Sequence, residues 1–387
     1  MKDNITQKEK TRIGYVIDSL YLGGAQRVLV DVVAGLSKLG YDQKVYSLND
    51  VIHPTIFQQF MYSQTPVVVI GKSQLLSAFG LLRLFQEFRK WRPHVVQTLL
   101  PYGDIIGRTV AHFAKVPVIV SATHSRNLDK PQWKLFLDRM TIRWVNRVVL
   151  VSEQLRSTVT SREGVREEQI VVIPNGINRE FITKPVENCK AARERIRAEF
   201  GVSLDTNVIV TVGRLSPEKG HLDLFQAFVQ VLAKLPDTAL MVVGDGPLYC
   251  QLNARVLRMG LSKKVFFLSQ RTDVGSVLCA SDVFAQSSLF EGMPIAVMEA
   301  MAASKPVVAT EVDGTRELVQ HNVTGWLVPP GRPDQLADYL IRALDNPDES
   351  YRVGKAASEL IAKHYTVSKM VTSYHDLYHD LMQHDLH

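Results

Sequence analysis

Cysteine is scarce in this sequence, which has only three, Cys189, Cys250 and Cys279, among 387 residues. An odd number of widely spaced cysteines fits neither a disulfide framework nor a zinc site. A chain that does not depend on disulfides suits a reducing compartment. We therefore expect no disulfide framework, no zinc site and a cytoplasmic location.

Long hydrophobic runs are also missing. No stretch of about 18 apolar residues occurs, which is the length that a membrane-spanning helix needs. The first ten residues, MKDNITQKEK, are polar and contain no apolar segment of the kind found in secretory signals. The sequence therefore predicts neither a signal peptide nor a transmembrane helix.

The positive charge of the chain is unevenly distributed. Residues 1–180 contain 24 Lys and Arg against 15 Asp and Glu, a balance of +9, whereas the remainder has 21 against 24, a balance of −3. A basic first half suits an anionic acceptor or contact with an anionic membrane leaflet, and the alternative is a solvated surface without a partner. No basic stripe with interleaved aromatic residues occurs, so we expect no nucleic-acid partner.

Short β-rich runs alternate with longer amphipathic stretches, such as 25–39 and 75–91. Continuous apolar strands separated by helices indicate a parallel sheet covered on both faces, as in doubly wound α/β folds. The predicted strands are 12–18, 43–48, 66–70, 94–99, 117–121, 147–152 and 170–173, and then 207–213, 238–244, 264–268, 283–286, 306–310 and 325–328.

A polar segment that begins with Pro174-Asn175-Gly176 separates the two series of strands. We therefore predict two Rossmann-like domains, residues 1–180 and residues 181–365. The C-terminal helix, at about 366–387, is expected to pack back on the first domain.

Ligands of open α/β sheets bind beyond the carboxyl ends of the strands, at helix N-termini. After the first strand, Gly23 and Gly24 suit an anion or a sugar hydroxyl, and the alternative is a tight turn. After strand 207–213, Arg214 and Lys219 precede a helix and form two cations suited to a diphosphate. The alternative there is surface charge pairing, for example of Arg214 with Glu218.

The loop after strand 283–286 is the most informative. Glu291 precedes a helix whose first turn is expected to contain Pro294, and Gly292 leaves backbone N–H groups open toward a phosphate. Glu299 follows eight positions later, a helical path of about 12 Å. One carboxylate can then contact the sugar of a nucleotide-linked sugar donor, and the other can contact the ribose of the same donor. The alternative is helix capping by Glu291 and a solvated Glu299.

Other loops carry weaker signals. His124 follows a strand and suits donation to a sugar hydroxyl, and Arg126 is a weaker version of the same idea; the alternative is no specific role for either residue. We interpret the turn at Asn175-Gly176 and the loop 243–248 as mainly structural, and the alternative for the loop is contact with a base or phosphate.

With these loops in place, the chain resembles the retaining family-4 glycosyltransferases of the GT-B type. The resemblance runs from Gly-Gly-Ala-Gln-Arg-Val to Gly-Trp-Leu-Val, and each segment is weak by itself but their order and spacing are specific. The matching segments are 23–28, 151–153, 173–177, 212–220, 243–247, the pair Glu291 and Glu299, 313–317 and 325–328. One departure is Gln26, where such enzymes often have Glu.

The resemblance implies two Rossmann-like domains facing a central cleft, with the acceptor bound by the first domain and the donor by the second. It implies a catalytic set with Glu291 at the sugar, Arg214 and Lys219 at the diphosphate, and His124 facing the sugar. The donor-binding set adds Gly24, Gly292, Met293, Pro294 and, at the ribose, Glu299. The acceptor side comprises Gly23, Gly24, His124 and Arg126.

The predicted reaction transfers a sugar, with retained configuration, from a UDP- or GDP-linked donor to a saccharide, lipid-linked glycan or small molecule. No Asp-x-Asp motif for a metal occurs, so we expect no metal or other cofactor and assign charge stabilisation to Arg214 and Lys219. The alternatives are a nucleotide-sugar epimerase of the same fold and a non-catalytic homologue acting as a partner subunit. Contact with the inner face of the membrane, through the basic first domain, is a further hypothesis.

Overall fold

The computed structural model describes residues 10–71, 78–126, 130–178 and 188–384. The chain forms two compact units. Unit 1 consists of Met1–Gly176 and Val367–His387, and unit 2 consists of Ile177–Thr366.

Seven parallel strands form the sheet of unit 1: β1 (Arg12–Ile17), β2 (Asp42–Ser47), β3 (Val67–Val69), β4 (Val95–Leu99), β5 (Val118–Thr123), β6 (Arg147–Leu150) and β7 (Ile170–Val172). Their order in the sheet is β3-β2-β1-β4-β5-β6-β7. Every strand predicted for this part of the chain is present. The central strands β4 and β5 are buried along their whole length, because helices cover both faces of a parallel sheet.

The helices of unit 1 are α1 (Gly24–Lys38), α2 (Pro54–Tyr62), α3 (Ala78–Trp91), α4 (Pro101–Phe113) and α5 (Gln132–Thr141), with short helical turns at Ile142–Trp144, Glu153–Leu155, Arg156–Thr158, Val159–Glu163 and Glu167–Gln169. The C-terminal helix, Val367–His384, also belongs to this unit. It lies against α1, where a Cβ on Gly35 would come within 2.3 Å of Val371. The missing side chain at Gly35 thus lets the two helices approach closely.

Unit 2 contains six parallel strands: β8 (Asn207–Val212), β9 (Thr238–Val243), β10 (Val265–Phe267), β11 (Val283–Gln286), β12 (Val307–Thr310) and β13 (Trp326–Val328), in the order β10-β9-β8-β11-β12-β13. All six match predicted strands. Its helices are α6 (Cys189–Glu199), α7 (His221–Lys234), α8 (Tyr249–Arg258), α9 (Val274–Ala280), α10 (Ile295–Ala302), α11 (Asp313–Leu318), α12 (Pro333–Asp345) and α13 (Pro347–His364), with a short turn at Pro217–Lys219. The C-terminal helix of unit 1 is α14. None of the described helices has the length and hydropathy needed to cross a membrane.

The structure contains a disulfide, although we expected no disulfide framework. Cys189, the first residue of α6, forms a disulfide with Cys279 of α9, and their Cα atoms are 5.4 Å apart. The two cysteines are 90 positions apart in the sequence, but α6 and α9 pack against each other. Spacing along the chain cannot reveal such a pairing. Cys250 is free and exposed.

Each sheet reverses its strand order at one point, between β1 and β4 in unit 1 and between β8 and β11 in unit 2. The connections leave in opposite directions at such a point, which opens a crevice at the carboxyl ends of the two strands. The loops after these strands are therefore where each unit is expected to bind a ligand.

Candidate functional site

The crevice of unit 2 brings together two charged side chains that the sequence analysis singled out. The Lys219 ammonium, from the loop after β8, lies 2.6 Å from Oε1 of Glu291, from the loop after β11. Seventy-two positions separate them in the sequence, and they meet because β8 and β11 are neighbours in the sheet. The side chain of Glu291 is 10% exposed and that of Lys219 is 23% exposed.

Two neutral donors hold the same carboxylate oxygen. Gln286 Nε2 donates to Glu291 Oε1 over 3.1 Å, and Ser288 Oγ donates to it over 2.7 Å. Thr315 Oγ1 in turn donates to Gln286 Oε1 over 3.1 Å, which fixes the orientation of that amide. Glu291 Oε2 accepts no hydrogen bond from the part of the chain that the structure describes. One oxygen of Glu291 is thus anchored and the other is left to accept from a ligand.

No role was predicted from the sequence for Gln286, Ser288 or Thr315. Ser288 lies in the loop that was singled out, and Gln286 ends a predicted strand, so both were near a recognised motif. Thr315 belongs to a segment that entered only through the family resemblance. Polar residues at strand ends are common, and nothing in the sequence indicates that these three form one network.

The loops after β8 and β11 are braced against each other through their backbones. Ser287 Oγ donates to the Lys219 carbonyl over 2.9 Å, and the Leu289 N–H donates to the Glu218 carbonyl over 2.7 Å. Gly220 has a φ of +60°, and a Cβ there would lie 2.1 Å from the Ser287 carbonyl oxygen. Glycine is therefore required at position 220 for both its conformation and this close approach.

Arg214 lies two residues after β8 and is exposed. Its guanidinium forms no ion pair or hydrogen bond with the described residues, so the alternative pairing with Glu218 is not observed. The Glu218 carboxylate instead accepts from the Ser216 hydroxyl. Lys219 ends a short helical turn, and α7 begins at His221. Arg214 therefore offers a cation that no described carboxylate neutralises.

The segment from Gly292 to Pro294 is buried and leads into α10. Pro294 is the residue before the helix, with extended backbone, so its expected place in the first turn was wrong by one residue. No side chain caps this helix N-terminus, which leaves its first N–H groups available to an anion. Glu299 lies on the second turn and is 2% exposed, so the alternative of a solvated Glu299 is also wrong.

Glycines after β9 and β12 hold this site in shape. A Cβ on Gly314, in α11, would lie 1.8 Å from the Gly292 carbonyl oxygen. A Cβ on Gly244 would lie 1.9 Å from the Gly213 carbonyl oxygen, and one on Gly246 would lie 2.4 Å from that of Leu215. These contacts agree with a structural interpretation of loop 243–248, because its glycines let it support the loop that carries Arg214.

His221, the first residue of α7, is a buried histidine next to the site. It is 4% exposed, and its Nδ1 atom has no hydrogen-bond partner among the described residues. Burial, assisted by the charge of Lys219, lowers the pKa of His221 to about 4. The ring is therefore neutral at physiological pH.

In unit 1, Gly23 and Gly24 stand where α1 begins, and no side chain caps this helix either. Gln26 is buried, and its Nε2 donates to the Ser19 carbonyl over 3.1 Å. A Cβ on Gly23 would lie 2.7 Å from Gln26 Oε1. A glutamate at this position could not donate to Ser19, so the departure from the family pattern has a structural use in this loop.

Asp18, at the end of β1, is a site candidate that the sequence analysis missed. Its carboxylate accepts from the Gly103 N–H at 2.5 Å and from the Tyr102 N–H at 3.4 Å, at the start of α4. Burial raises the pKa of Asp18 to about 6, against the lowering effect of these two hydrogen bonds. The carboxylate therefore joins the loops after β1 and β4 at the crevice of unit 1.

His124 directly follows β5 and is half-buried, although its Nε2 atom is shielded and has no hydrogen-bond partner among the described residues. Burial lowers the pKa of His124 to about 4, so the ring is a neutral hydrogen-bonding group at physiological pH. Arg126, two residues on, is also half-buried. His124, Arg126, Gly23 and Gly24 thus belong to unit 1, whereas Arg214, Lys219 and residues 291–299 belong to unit 2.

Two family models match the chain. "Glycosyltransferase Family 4" matches residues 22–181, and "Glycosyl transferases group 1" matches residues 192–360. Within the described residues, no group of three His, Cys, Asp or Glu side chains is placed to hold a metal ion.

Curated relatives span nearly the whole chain. The UDP-Gal:alpha-D-GlcNAc-diphosphoundecaprenol alpha-1,3-galactosyltransferase of Escherichia coli is 26% identical over 387 residues, which cover 96% of this chain and 98% of that protein. The 2-deoxystreptamine glucosyltransferase of Streptomyces kanamyceticus is 26% identical over 362 residues, with 89% and 92% covered.

Among solved structures, Anabaena HepE in complex with UDP and glucose aligns with a TM-score of 0.84 at 22% identity. The alignment covers 96% of this chain and all of that one. At this identity, the similarity concerns the fold, which is that of two Rossmann-like α/β domains.

Proposed function

Because the chain belongs to glycosyltransferase family 4 and has the GT-B fold, it is a retaining glycosyltransferase, and we propose that its donor is a UDP-hexose bound at the crevice between β8 and β11. The Lys219–Glu291 pair carries this proposal, because it places a cation and a carboxylate beside the uncapped N-terminus of α10. The choice of UDP is supported by the E. coli relative, which is named for UDP-Gal, and by HepE, which was solved with UDP.

The donor diphosphate would lie at the N-terminus of α10, where Gly292, Met293 and Pro294 lead into the helix and the N–H groups of its first turn would face the anion. When the bond to the sugar breaks, negative charge grows on the leaving diphosphate. Lys219, held by Glu291, and the unneutralised Arg214 would stabilise that charge without reorganising.

The carboxylates of Glu291 and Glu299 would contact the two ends of the donor. Glu291 Oε2 would accept from a hydroxyl of the transferred sugar, while Oε1 stays anchored. Glu299 would accept from the ribose hydroxyls. In unit 1, Gly23, Gly24, His124 and Arg126 would form the acceptor side, where the neutral ring of His124 would hydrogen-bond a sugar hydroxyl.

A panel of nucleotides in a thermal-shift assay tests the donor. UDP and UDP-sugars should raise the melting temperature in a concentration-dependent manner, because a ligand that binds only the folded state stabilises it, and GDP should not. Glu299→Gln should reduce the shift, whereas Glu359→Gln, at an exposed position of α13, should leave it unchanged. A shift with GDP alone would contradict the choice of base, and an equal shift in both variants would contradict the role of Glu299.

We also propose that the reaction needs no metal ion, because Arg214 and Lys219 supply the positive charge that a divalent cation would provide. Initial rates in excess EDTA should equal those in added Mg²⁺ or Mn²⁺. Loss of activity in EDTA that is restored by a metal would contradict this proposal.

For the acceptor, we propose a saccharide linked through diphosphate to a polyprenyl lipid. The name of the E. coli relative supports this class, and the balance of +9 in residues 1–180 suits an anionic lipid diphosphate. Transfer of radiolabelled hexose to a short-chain polyprenyl-diphosphate sugar tests it. Transfer to 2-deoxystreptamine instead would favour a small-molecule acceptor, as named for the Streptomyces relative.

A lipid-linked acceptor implies contact with a membrane surface, and α5 offers a face for it. Trp133, Phe136 and Met140, spaced along one side of the helix, are 51%, 62% and 39% exposed, and Arg143 follows in the next turn. Exposed aromatic residues beside basic ones suit an anionic leaflet. Wild type should sediment with vesicles that contain anionic lipid, and Phe136→Glu should not. Equal sedimentation of the two proteins would exclude α5 as the contact surface. If wild type does not sediment at low salt, membrane contact itself is excluded.

A further inference from the structure

Unit 2 contains a cavity of about 310 Å³ where its strands begin, whereas the donor site lies at the carboxyl ends of the strands. It is lined where the strands begin, by Asn207 at the start of β8, by Asp282 before β11 and by Pro306 before β12. The first turn of α13, with Ser350 and Tyr351, closes one side. None of the residues assigned to the donor lines this cavity.

The charged groups around the cavity are mostly cationic. Arg193 and Lys305 line it, and Asp282 is the only acidic residue among the lining residues. The Asp282 carboxylate is already shared by two guanidinium groups, since Arg193 and the fully buried Arg197 each lie 2.9 Å from it. Positive charge therefore remains in excess among the residues that line the cavity.

Lys305 supplies that excess at the cavity wall. Its ammonium donates to the Ser281 carbonyl over 2.8 Å, and no carboxylate of the described residues lies within ion-pair distance of it. An ammonium has three N–H donors, so two are left. Burial, assisted by the charges of Arg193 and Arg197 and opposed by Asp282, lowers the pKa of Lys305 to about 8. An anion in the cavity would relieve this repulsion.

We propose that this cavity is a second ligand site, which binds the phosphate group of a small phosphorylated metabolite or inorganic phosphate. The Lys305 ammonium and the Arg193 guanidinium would contact the phosphate oxygens. The volume of about 310 Å³ accommodates a phosphate together with a small organic group. This site is independent of the donor site and does not rest on the identity of the donor.

Calorimetric titration of inorganic phosphate into the full-length protein tests the proposal, in a buffer without other multivalent anions. Lys305→Gln should weaken phosphate binding by roughly tenfold or more, because hydrogen bonds to charged groups are the stronger ones. Lys355→Gln, at an exposed position of α13, serves as the matched control and should leave the affinity unchanged. Lys219→Gln removes a cation of the donor site and should leave phosphate binding in this cavity unchanged, so it separates the two sites.

Tyr351→Glu provides a second variant that does not disturb the buried residues. Tyr351 is 73% exposed at the rim of the cavity, so a glutamate there should fold normally and repel an anion, weakening phosphate binding several-fold. Glucose 1-phosphate is titrated in parallel, and an affinity for it above that for inorganic phosphate identifies an organic phosphate as the ligand. The proposal is overturned if wild type does not bind phosphate at millimolar concentration, if Lys305→Gln and Tyr351→Glu bind it like wild type, or if only Lys219→Gln loses it.

Discussion

Replacing Lys219 by methionine separates the structural role of the Lys219–Glu291 pair from its proposed role in transfer. Methionine keeps most of the volume of the lysine stem and removes the ammonium that lies 2.6 Å from Glu291 Oε1. Gln286 and Ser288 still donate to the same oxygen in the variant, so the carboxylate does not become an isolated buried charge.

The expected loss of stability is modest. A hydrogen bond to a charged group contributes roughly 1.5–3 kcal/mol. The Lys219 side chain is 23% exposed, so solvent screening reduces this contribution, and we expect the free energy of unfolding to fall by about 1–2 kcal/mol. Domains with roughly 5–15 kcal/mol of stability stay almost wholly folded after such a loss. Urea unfolding followed by circular dichroism measures it.

The expected loss of activity is much larger. If Lys219 stabilises charge that develops on the leaving diphosphate, its removal should lower kcat by about 10²–10³-fold, the effect of deleting one preorganised donor of this kind. UDP release in the presence of acceptor measures kcat, and Lys263→Met, at an exposed position of unit 2, is the matched control. A kcat within threefold of wild type would refute the reasoning. A loss of activity that is equal to the fraction of unfolded protein would refute it as well.

Three further predictions concern stability. Gly314→Ala should destabilise unit 2 by about 3 kcal/mol and abolish the thermal shift with UDP, because its Cβ would lie 1.8 Å from the Gly292 carbonyl oxygen. The control Gly260→Ala has nothing within 4 Å of its Cβ and should lose only roughly 1 kcal/mol, because of its positive φ. Equal losses of stability in the two variants would count against the close contact at Gly314. Because burial lowers the pKa of His221 to about 4, below its value in the unfolded chain, the stability linked to its neutral form is complete above about pH 6.5 and is lost as the pH falls toward 4. His221→Asn should therefore remove about 2 kcal/mol of the decrease in unfolding free energy between pH 7 and pH 5, and an unchanged pH dependence in urea unfolding would contradict it. Cys189→Ser should lower the unfolding free energy by about 4 kcal/mol in the absence of reductant, because the disulfide closes a loop of 90 positions. Cys250→Ser removes a free cysteine and should not lower it. Identical urea unfolding curves for the two variants would argue against the disulfide.

The architecture was predictable because it depends on local patterns. Apolar runs of four to seven residues, separated by amphipathic stretches, indicated all thirteen strands of the two sheets. The loops that carry Arg214, Lys219 and Glu291 were recognisable for the same reason, since the carboxyl end of each strand can be located in the sequence. Sugar transfer was implied by the resemblance of these loops, in their order and spacing, to the family-4 glycosyltransferases.

The contacts within the site depended on which strands become neighbours. Lys219 meets Glu291 only because β8 lies beside β11, across 72 positions of sequence. Gln286, Ser288 and Thr315 complete that network from the ends of β11 and the start of α11, and Asp18 joins the loops after β1 and β4 in the same manner. The Cys189–Cys279 bond likewise depended on packing, because it joins α6 to α9. Local propensity acts between near neighbours in the chain, whereas these contacts join groups that only the folded sheet brings within hydrogen-bonding distance.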